Sequence, residues 1–142
     1  MKLTLFTDYS FRLLMMAAAS EPDLVTIPAA AAGYRISRHH LTKIANDLVR
    51  GGFMEAVRGR NGGLRLARPA SSIKVAEIVR FCESDAPLVE CFNKETNTCV
   101  ITPHCALKTV LFSAESAFYA VLAAHSLADL MVHRAELRKV LG

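Results

Sequence analysis

The sequence contains no uninterrupted stretch of 18 apolar residues, no Cys-x-x-Cys pair and no nucleotide-binding motif. The first absence argues against a membrane-spanning segment. The other two, together with the lack of a candidate base beside a substrate pocket, argue against an enzyme. The chain does contain 52% hydrophobic residues over 142 positions. This composition excludes disorder and suffices for one domain with a real core, or for a small domain with an appendage.

The N-terminal segment, MKLTLFTDYSFRLLMMAAAS, is faintly similar to a signal peptide because one lysine precedes an apolar stretch that ends in small residues. Polar residues such as Asp8 and Arg12 interrupt any hydrophobic region of such a signal. Four apolar residues instead have the i, i+3, i+4, i+7 spacing of one helix face: Phe11, Leu14, Met15 and Ala18. We therefore expect an amphipathic helix in a cytoplasmic protein.

Basic residues are concentrated in the first half of the chain. Residues 1–70 contain 10 lysines and arginines against 5 acidic residues, whereas residues 71–142 contain 7 against 8. Within residues 35–68 there are 8 basic and 2 acidic side chains. This asymmetry favours an anionic partner for the first half, most simply nucleic acid, although a solvated basic face would show the same imbalance.

The first half also has the element order of a winged helix-turn-helix domain, with three helices followed by a hairpin. The first helix is expected over residues 4–19, and Thr26-Ile27-Pro28 opens a second that breaks at Gly33 and Tyr34. Ser37 is a suitable N-cap for a third helix that ends at Gly51-Gly52. Its inner stripe is formed by apolar residues: Leu41, Ile44, Ala45 and Leu48.

Two strand-like segments, Phe53–Val57 and Leu64–Leu66, flank a glycine-rich loop that contains Asn61-Gly62. Asn-Gly between such segments is a hairpin signal because both residues tolerate positive φ. The fold class predicted is mainly α with a small β-hairpin wing. Residues 1–70 would form the winged helix-turn-helix DNA-binding domain.

Residues 71–142 would form the second part, which contains a long dimerisation helix. A helix over residues 73–83 places Cys82 on its apolar face, where a buried structural role is expected. The segment Ala106–His125 has no glycine or proline and carries a long apolar stripe, which favours pairing with the same helix of a second copy. The alternative is that this stripe packs back on the first half. Ser126 and Asp129 resemble a capping box that begins a short last helix.

Residues at the start of the third helix would enter the major groove of DNA, and the wing would reach the minor groove. Joint metal binding by the neighbouring histidines is disfavoured, because adjacent helical positions point about 100° apart. A plain solvated surface is the alternative. The candidate DNA contacts are Ser37, Arg38, His39, His40, Lys43, Arg58, Arg60 and Asn61.

Three cysteines, Cys91, Cys99 and Cys105, lie in a polar segment with the pattern C-x7-C-x5-C. A disulfide would leave one thiol over, and three unrelated surface thiols would be an oxidation liability. Structural zinc usually shows paired knuckles, which are absent here. An iron–sulfur cluster tolerates irregular loop spacing. Spacing alone favours a cluster over zinc without excluding zinc.

The sequence resembles the winged-helix iron–sulfur repressors of the NsrR, IscR and RirA type, and within them the NsrR-like nitric-oxide-sensing repressors. The motifs that carry the resemblance are LTLFTDYSFRLL, ISRHHLTKIANDL, VRGRNGGLRLARP, CVITPHC with the two neighbouring cysteines, and SLADL. The resemblance implies a homodimer that is crossed through the long helix, binds double-stranded operator DNA and responds to nitric oxide. An iron- or cluster-status regulator on the same scaffold is the alternative function.

The resemblance also implies that Cys91, Cys99 and Cys105 ligate an iron–sulfur cluster, expected to be 4Fe–4S. In NsrR-like proteins an aspartate near the N-terminus of the other subunit completes the cluster, and Asp8 is the matching residue. Without the resemblance, Asp8 would be an ordinary acid in the first turn of a helix. His104 is a rival fourth ligand, whereas the histidine that IscR-like members place after their last cysteine has no counterpart here.

Overall fold

The computed structural model describes residues 2–83 and 87–142. Its elements confirm the predicted fold class, since helices dominate and one antiparallel hairpin follows the third helix. The helices are α1 (Leu5–Ser20), α2 (Ile27–Tyr34), α3 (Arg38–Arg50), α4 (Val75–Cys82), α5 (Ala106–Ala124) and α6 (Arg134–Leu141). The strands are β1 (Met54–Val57) and β2 (Gly63–Leu66). Short 3-10 turns lie at Ala70–Ser72, Glu90–Phe92, Thr102–His104 and Ala128–Met131.

Helix α1 lies at the centre of the hydrophobic core. Its Leu13 and Leu14 are fully buried, as are Leu41 and Leu48 from the predicted inner stripe of α3. The other two residues of that stripe, Ile44 and Ala45, are also buried, so the stripe is confirmed. The same core also includes residues from the second half of the chain: Ile73, Ile78 and Leu127.

Each of the first three helices begins at a side-chain cap. The hydroxyl groups of Thr4, Thr26 and Ser37 accept hydrogen bonds from the backbone N–H groups of Thr7, Ala29 and His40. Each bond satisfies one of the amide donors that a helix N-terminus leaves unpaired. The prediction that Ser37 caps the third helix is therefore confirmed.

The prediction that α2 breaks at Gly33 was wrong, because the helix continues through Gly33 to Tyr34. It ends instead at Arg35, which has the left-handed φ of 55°. A side chain at Gly33 would place its Cβ 3.2 Å from the carbonyl oxygen of Leu141 at the end of α6. Glycine is thus present at this position to allow a close approach of the last helix.

The hairpin is confirmed, with Met54 opposite Leu66 and Val57 opposite Gly63. Its turn chemistry differs from the prediction, because the positive φ falls at Gly59 (120°) and not at Asn61-Gly62. Gly62 is required for a different reason, since a Cβ there would collide with the carbonyl oxygen of Val57. The loop is therefore longer than a two-residue Asn-Gly turn.

The capping box of Ser126 and Asp129 is present, because Ser126 N and Oγ donate to Asp129 Oδ2 at 2.7 and 2.8 Å. It caps the 3-10 turn Ala128–Met131, and the last helix begins only at Arg134, which corrects the prediction that the box opens that helix. This extra turn lets α6 reach back across α1. Arg134 donates hydrogen bonds to the carbonyl oxygens of Ala19 and Glu21 at 3.1 and 2.6 Å.

Helix α5 packs against α4 along one flank only, and none of its residues is buried. Leu107, Val110 and Val121 are 62%, 63% and 62% exposed, respectively. By length and composition alone, α5 could cross a membrane. A surface helix that meets a partner has the same composition, so the expectation that no segment spans a membrane is not decided by this helix.

Candidate DNA interface and cysteine loop

The five residues predicted to read DNA from α3 all lie on its solvent face. Ser37, Arg38, His39, His40 and Lys43 are exposed. They lie opposite the buried stripe that fixes α3 against the core. The apolar side of α3 therefore positions its polar side without using any of these side chains for packing.

The wing carries the other three candidates, and all are exposed at its tip: Arg58, Arg60 and Asn61. Other arginines of this region are occupied by acids, because Arg50 pairs with Asp47, Arg65 with Glu55 and Arg68 with Glu77.

Within residues 2–83 and 87–142, no acidic partner or side-chain hydrogen bond is found for the cationic groups of four residues: Arg38, Lys43, Arg58 and Arg60. The unpaired cations coincide with the positions predicted to contact DNA.

Arg35 is a further exposed cation that the residue-level prediction omitted. It occupies the left-handed position of the turn between α2 and α3 and has no ion-pair partner in the described part of the chain. Its presence in the basic stretch from residue 35 was the one sequence signal for it. A cation there extends the basic surface onto the turn itself.

The three clustered cysteines are free thiols spread along the loop between α4 and α5. Cys91 lies in the 3-10 turn Glu90–Phe92 and is half-buried, Cys99 is exposed, and the half-buried Cys105 is the N-cap residue of α5. A groove of about 320 Å³ beside Cys91 is lined by two lysines, Lys94 and Lys108, and by aromatic side chains. Positive charge near a thiol favours the thiolate that binds metals.

The polar residues of the loop are bonded to one another, which the sequence pattern did not indicate. Glu90 accepts a hydrogen bond from Thr98 Oγ1 at 2.7 Å and another from its backbone N–H. These hydrogen bonds, the backbone one first, hold the pKa of Glu90 below its usual value. Asn97 accepts from the backbone N–H of Cys99 at 3.1 Å and donates to Thr102 at 3.0 Å. The loop is thus internally braced around Cys99.

The donor chemistry of this loop fits an iron–sulfur cluster, because its three cysteines supply the thiolates that such clusters use. Among the described residues, no three His, Cys, Asp or Glu side chains converge closely enough to hold a single metal ion. The thiols of one chain therefore do not form a closed tetrahedral site, and the site needs a rearrangement of the loop, a second copy, or both. The assignment of Cys91, Cys99 and Cys105 as ligands remains a prediction.

The two candidates for a fourth ligand lie in different surroundings. Asp8 is in the first turn of α1, where its carboxylate accepts hydrogen bonds from Arg12 Nε at 3.2 Å and Nη2 at 2.8 Å. His104 is exposed in the turn immediately before Cys105. Within one chain, Asp8 is therefore held by Arg12.

Cys82, the fourth cysteine, lies at the end of α4 outside the loop. It is half-buried against the core, so the predicted burial is only partial. Burial raises the pKa of its thiol, and hydrogen bonds with Ser10 and Thr7 only partly oppose that effect. A thiol held in its protonated form among core residues is a poor metal ligand.

Glu83 connects the base of the cysteine loop to the start of α1, a contact that the sequence gave no means of finding. It accepts hydrogen bonds from Thr4 N at 2.8 Å, from Thr4 Oγ1 at 2.9 Å and from Thr7 Oγ1. Desolvation raises the pKa of Glu83, but these hydrogen bonds outweigh it and the net pKa is lowered. The partners are 76 and 79 positions away, beyond the reach of any local pattern.

Comparison with known proteins gives concordant matches over nearly the whole chain. The model of the Rrf2 family, described as an iron-dependent transcriptional regulator, matches residues 3–133. The chain is 44% identical to the HTH-type transcriptional regulator NsrR of Shouchella clausii, over 99% of this chain and 95% of that protein. It is also 44% identical to NsrR of Bacillus subtilis, over 99% and 97%.

Among solved structures, IscR of T. potens superposes with a TM-score of 0.74 over 92% of this chain and 86% of that chain. The sequence identity is 23%, so this likeness establishes the fold alone. The matched region includes the winged helix, the cysteine loop and α5.

Proposed function

The chain belongs to the Rrf2 family of transcriptional regulators, and we propose that it is a repressor whose operator binding is controlled by an iron–sulfur cluster that senses nitric oxide. Its relatives are HTH-type transcriptional regulators, so the protein is a DNA-binding regulator and not an enzyme. The finer elements of the proposal are the cluster, the nitric-oxide signal and the homodimer. We place its action in the cytoplasm, where operator DNA is found.

The DNA-binding step is supported by the division between paired and unpaired cations on the basic half. Arg38 and Lys43 on α3 and Arg58 and Arg60 on the wing face solvent without an acidic partner in the described structure. Such cations release condensed counterions when they meet phosphates, and arginines can also read base edges or a narrow minor groove. We infer that α3 enters the major groove and the wing reaches the adjacent minor groove.

Dimerisation is supported by the exposed apolar face of α5. Leu107, Val110 and Val121 would remain in water in a single chain. Two copies of α5 that cross would remove these side chains from water and place two recognition helices at the spacing a pseudo-palindromic operator requires. A concentration-dependent dimer by analytical ultracentrifugation in detergent-free buffer would support this step. Extraction only with detergent would instead assign α5 to a membrane.

The proposed sensor uses Cys91, Cys99 and Cys105 of the loop, with Asp8 from the second copy as the fourth ligand. Bound there, the cluster would supply iron that reacts with nitric oxide. The carboxylate of Asp8 is a hard, weakly held ligand beside three thiolates, so it is the group most readily released. Within its own chain, the released Asp8 returns to Arg12, the partner it has in the present structure.

The single observation that carries this proposal is that free thiols and unpaired DNA-facing cations occur on one chain of a regulator family. Anaerobic purification, an absorbance spectrum, and iron and sulfide assays test the cluster. Cys99→Ser should abolish or destabilise the cluster absorbance, whereas the matched control Cys82→Ser should leave it intact. A colourless protein that holds one zinc ion would refute the cluster.

A second candidate function is a regulator that responds to iron or cluster status, which the family description as iron-dependent favours. Titration of the cluster-loaded protein with nitric oxide, while operator binding is followed, separates the two candidates. Loss of binding within a few equivalents of nitric oxide per cluster supports the nitric-oxide sensor. Retention of binding through that range, with loss on iron chelation, assigns the protein to iron status.

A further inference from the structure

Arg12 lies at the centre of a contact group on the outer side of α1, which we name the Arg12 clamp: Asp8, Tyr9, Arg12 and Tyr34. The guanidinium group is bonded to both carboxylate oxygens of Asp8, at 3.2 and 2.8 Å. Its Cζ also lies 5.6 Å from the ring centroid of Tyr9 and 5.9 Å from that of Tyr34. Cation–π contact at these distances adds to the ion pair.

Tyr34 connects the clamp to the recognition helix. It is the last residue of α2, and its hydroxyl group donates a 2.8 Å hydrogen bond to the carbonyl oxygen of Arg12. The next residue, Arg35, has the left-handed conformation that turns the chain toward α3. Ile36 then returns a backbone hydrogen bond to Ala31 at 3.1 Å, and Ser37 caps α3. Two residues therefore separate Tyr34 from the first cap of the DNA-reading helix.

We propose that Arg12 is the positioning residue that links the engagement of Asp8 to the turn before the recognition helix. The ion pair orients the guanidinium group over Tyr34, and Tyr34 in turn anchors the end of α2 to α1. When the carboxylate of Asp8 is taken by another ligand, Arg12 loses the partner that orients it. The stacking on Tyr34 weakens, and the turn from Tyr34 to Ser37 becomes less constrained.

The proposed function enters this inference only at one point, since it identifies the event that removes Asp8 from Arg12. The clamp itself is a property of the cluster-free chain and is open to measurement there. A purely structural role for Arg12 predicts that its loss affects α1 and leaves the turn unchanged. A linking role predicts that Asp8 and Arg12 act on the turn as one unit.

The experiment measures amide hydrogen exchange in the full-length, cluster-free protein by NMR. The readout is the Ile36 amide, which is bonded across the turn to Ala31. The variants are Asp8→Ala, Arg12→Ala, the double variant and the conservative Tyr34→Phe, which removes only the hydroxyl group. The matched control is Arg50→Ala, because Arg50 is another helix-surface arginine paired with an aspartate, Asp47, three positions away.

Asp8→Ala, Arg12→Ala and Tyr34→Phe are each expected to raise the Ile36 exchange rate about 5- to 10-fold, while Arg50→Ala changes it less than about twofold. The Asp8→Ala/Arg12→Ala double variant should match the Arg12→Ala single variant, because both changes break one link. An unchanged Ile36 rate in Asp8→Ala would overturn the proposal. Additive effects in the double variant, or an equal rise in Arg50→Ala, would overturn it as well.

A second measurement compares operator affinity with and without the cluster. Arg12→Ala should reduce the ratio of the two affinities by at least about fivefold, since the linkage between the sites passes through this residue. A ratio equal to that of the unchanged protein would overturn the proposal. If no cluster binds at all, the proposed function fails, but the exchange experiment still decides the role of Arg12 because it uses the cluster-free chain.

Discussion

The two halves of the molecule differ in how much of their apolar surface a single chain buries. In the first half, α1, α3 and the wing enclose side chains that are fully buried, such as Leu13, Leu41 and Leu48. In the second half, α5 runs for 19 residues without a buried side chain. The winged helix is therefore complete in one copy. The apolar face of α5 needs a second copy to leave water.

The second half nevertheless holds α1 at both ends. Glu83 accepts hydrogen bonds from Thr4 and Thr7 at its N-terminus. Arg134 donates to Ala19 and Glu21 at its C-terminus. Because α1 is also the centre of the core, a change at the cysteine loop or at α6 is conveyed to the DNA-reading half through this one helix.

The largest effect expected from breaking this contrast is in the core of the first half. Leu41→Ala should lower the free energy of unfolding by about 2–5 kcal/mol, because it leaves a cavity where Leu41 is now fully buried. Urea denaturation followed by circular dichroism measures this change. Val110→Ala on exposed α5 is the control for loss of apolar atoms. An equal loss of cooperative stability for the two variants at low protein concentration would contradict the contrast.

The next effect concerns the face of α5 that one chain leaves exposed. Val121→Glu would bury a carboxylate in the proposed dimer interface, and it should raise the dimer dissociation constant at least about 30-fold. Sedimentation velocity over a range of concentrations measures the constant. Val132→Glu is the control, since Val132 is 79% exposed but lies outside α5. A dimer unaffected by Val121→Glu would assign the interface to another surface.

On the basic half, the contrast between unpaired and paired arginines of the wing can be sharpened. Arg60→Ala should weaken operator binding by roughly 1–3 kcal/mol if the side chain makes a specific contact. Fluorescence anisotropy with labelled operator DNA measures the affinity.

The matched control is Arg65→Ala on the same hairpin, because Arg65 is already paired with Glu55. Its expected effect on operator affinity is smaller. Unchanged affinity in Arg60→Ala would remove the wing from the proposed interface.

Sequence patterns predicted the parts of the fold that depend on neighbouring residues. The Ser37 cap and the apolar stripe of α3 were visible because a cap and a 3.6-residue period are local features. The hairpin was also predicted, although its positive φ falls at Gly59. The charge pattern likewise located the basic surface, but sequence could not separate paired Arg65 from unpaired Arg60, because pairing depends on the strand register.

Features that depend on distant residues were missed. Gly33 was read as a helix breaker, whereas its role is to admit Leu141 of α6, which is 108 positions later in the chain. Glu83 had no local signal because its partners are at the start of α1. The ligand set of the cysteine loop remains a prediction for the same physical reason. Its completion depends on a second copy and on a bound group, which no single-chain pattern encodes.

The smallest predicted effect is the pH dependence of the Glu83 contact. The pKa of Glu83 in the folded chain lies below the ordinary 4.5, so its contribution to stability is present above pH 4.5 and is lost as the pH falls through the lower folded value. Glu83→Gln should therefore be less stable than the unchanged protein at pH 7, and the two should converge in acid. Solvent screening of this partly buried group keeps the difference below about 1 kcal/mol. Urea denaturation from pH 3 to pH 7 measures it, and a difference that does not shrink with acidification would show that Glu83 caps α1 without its charge.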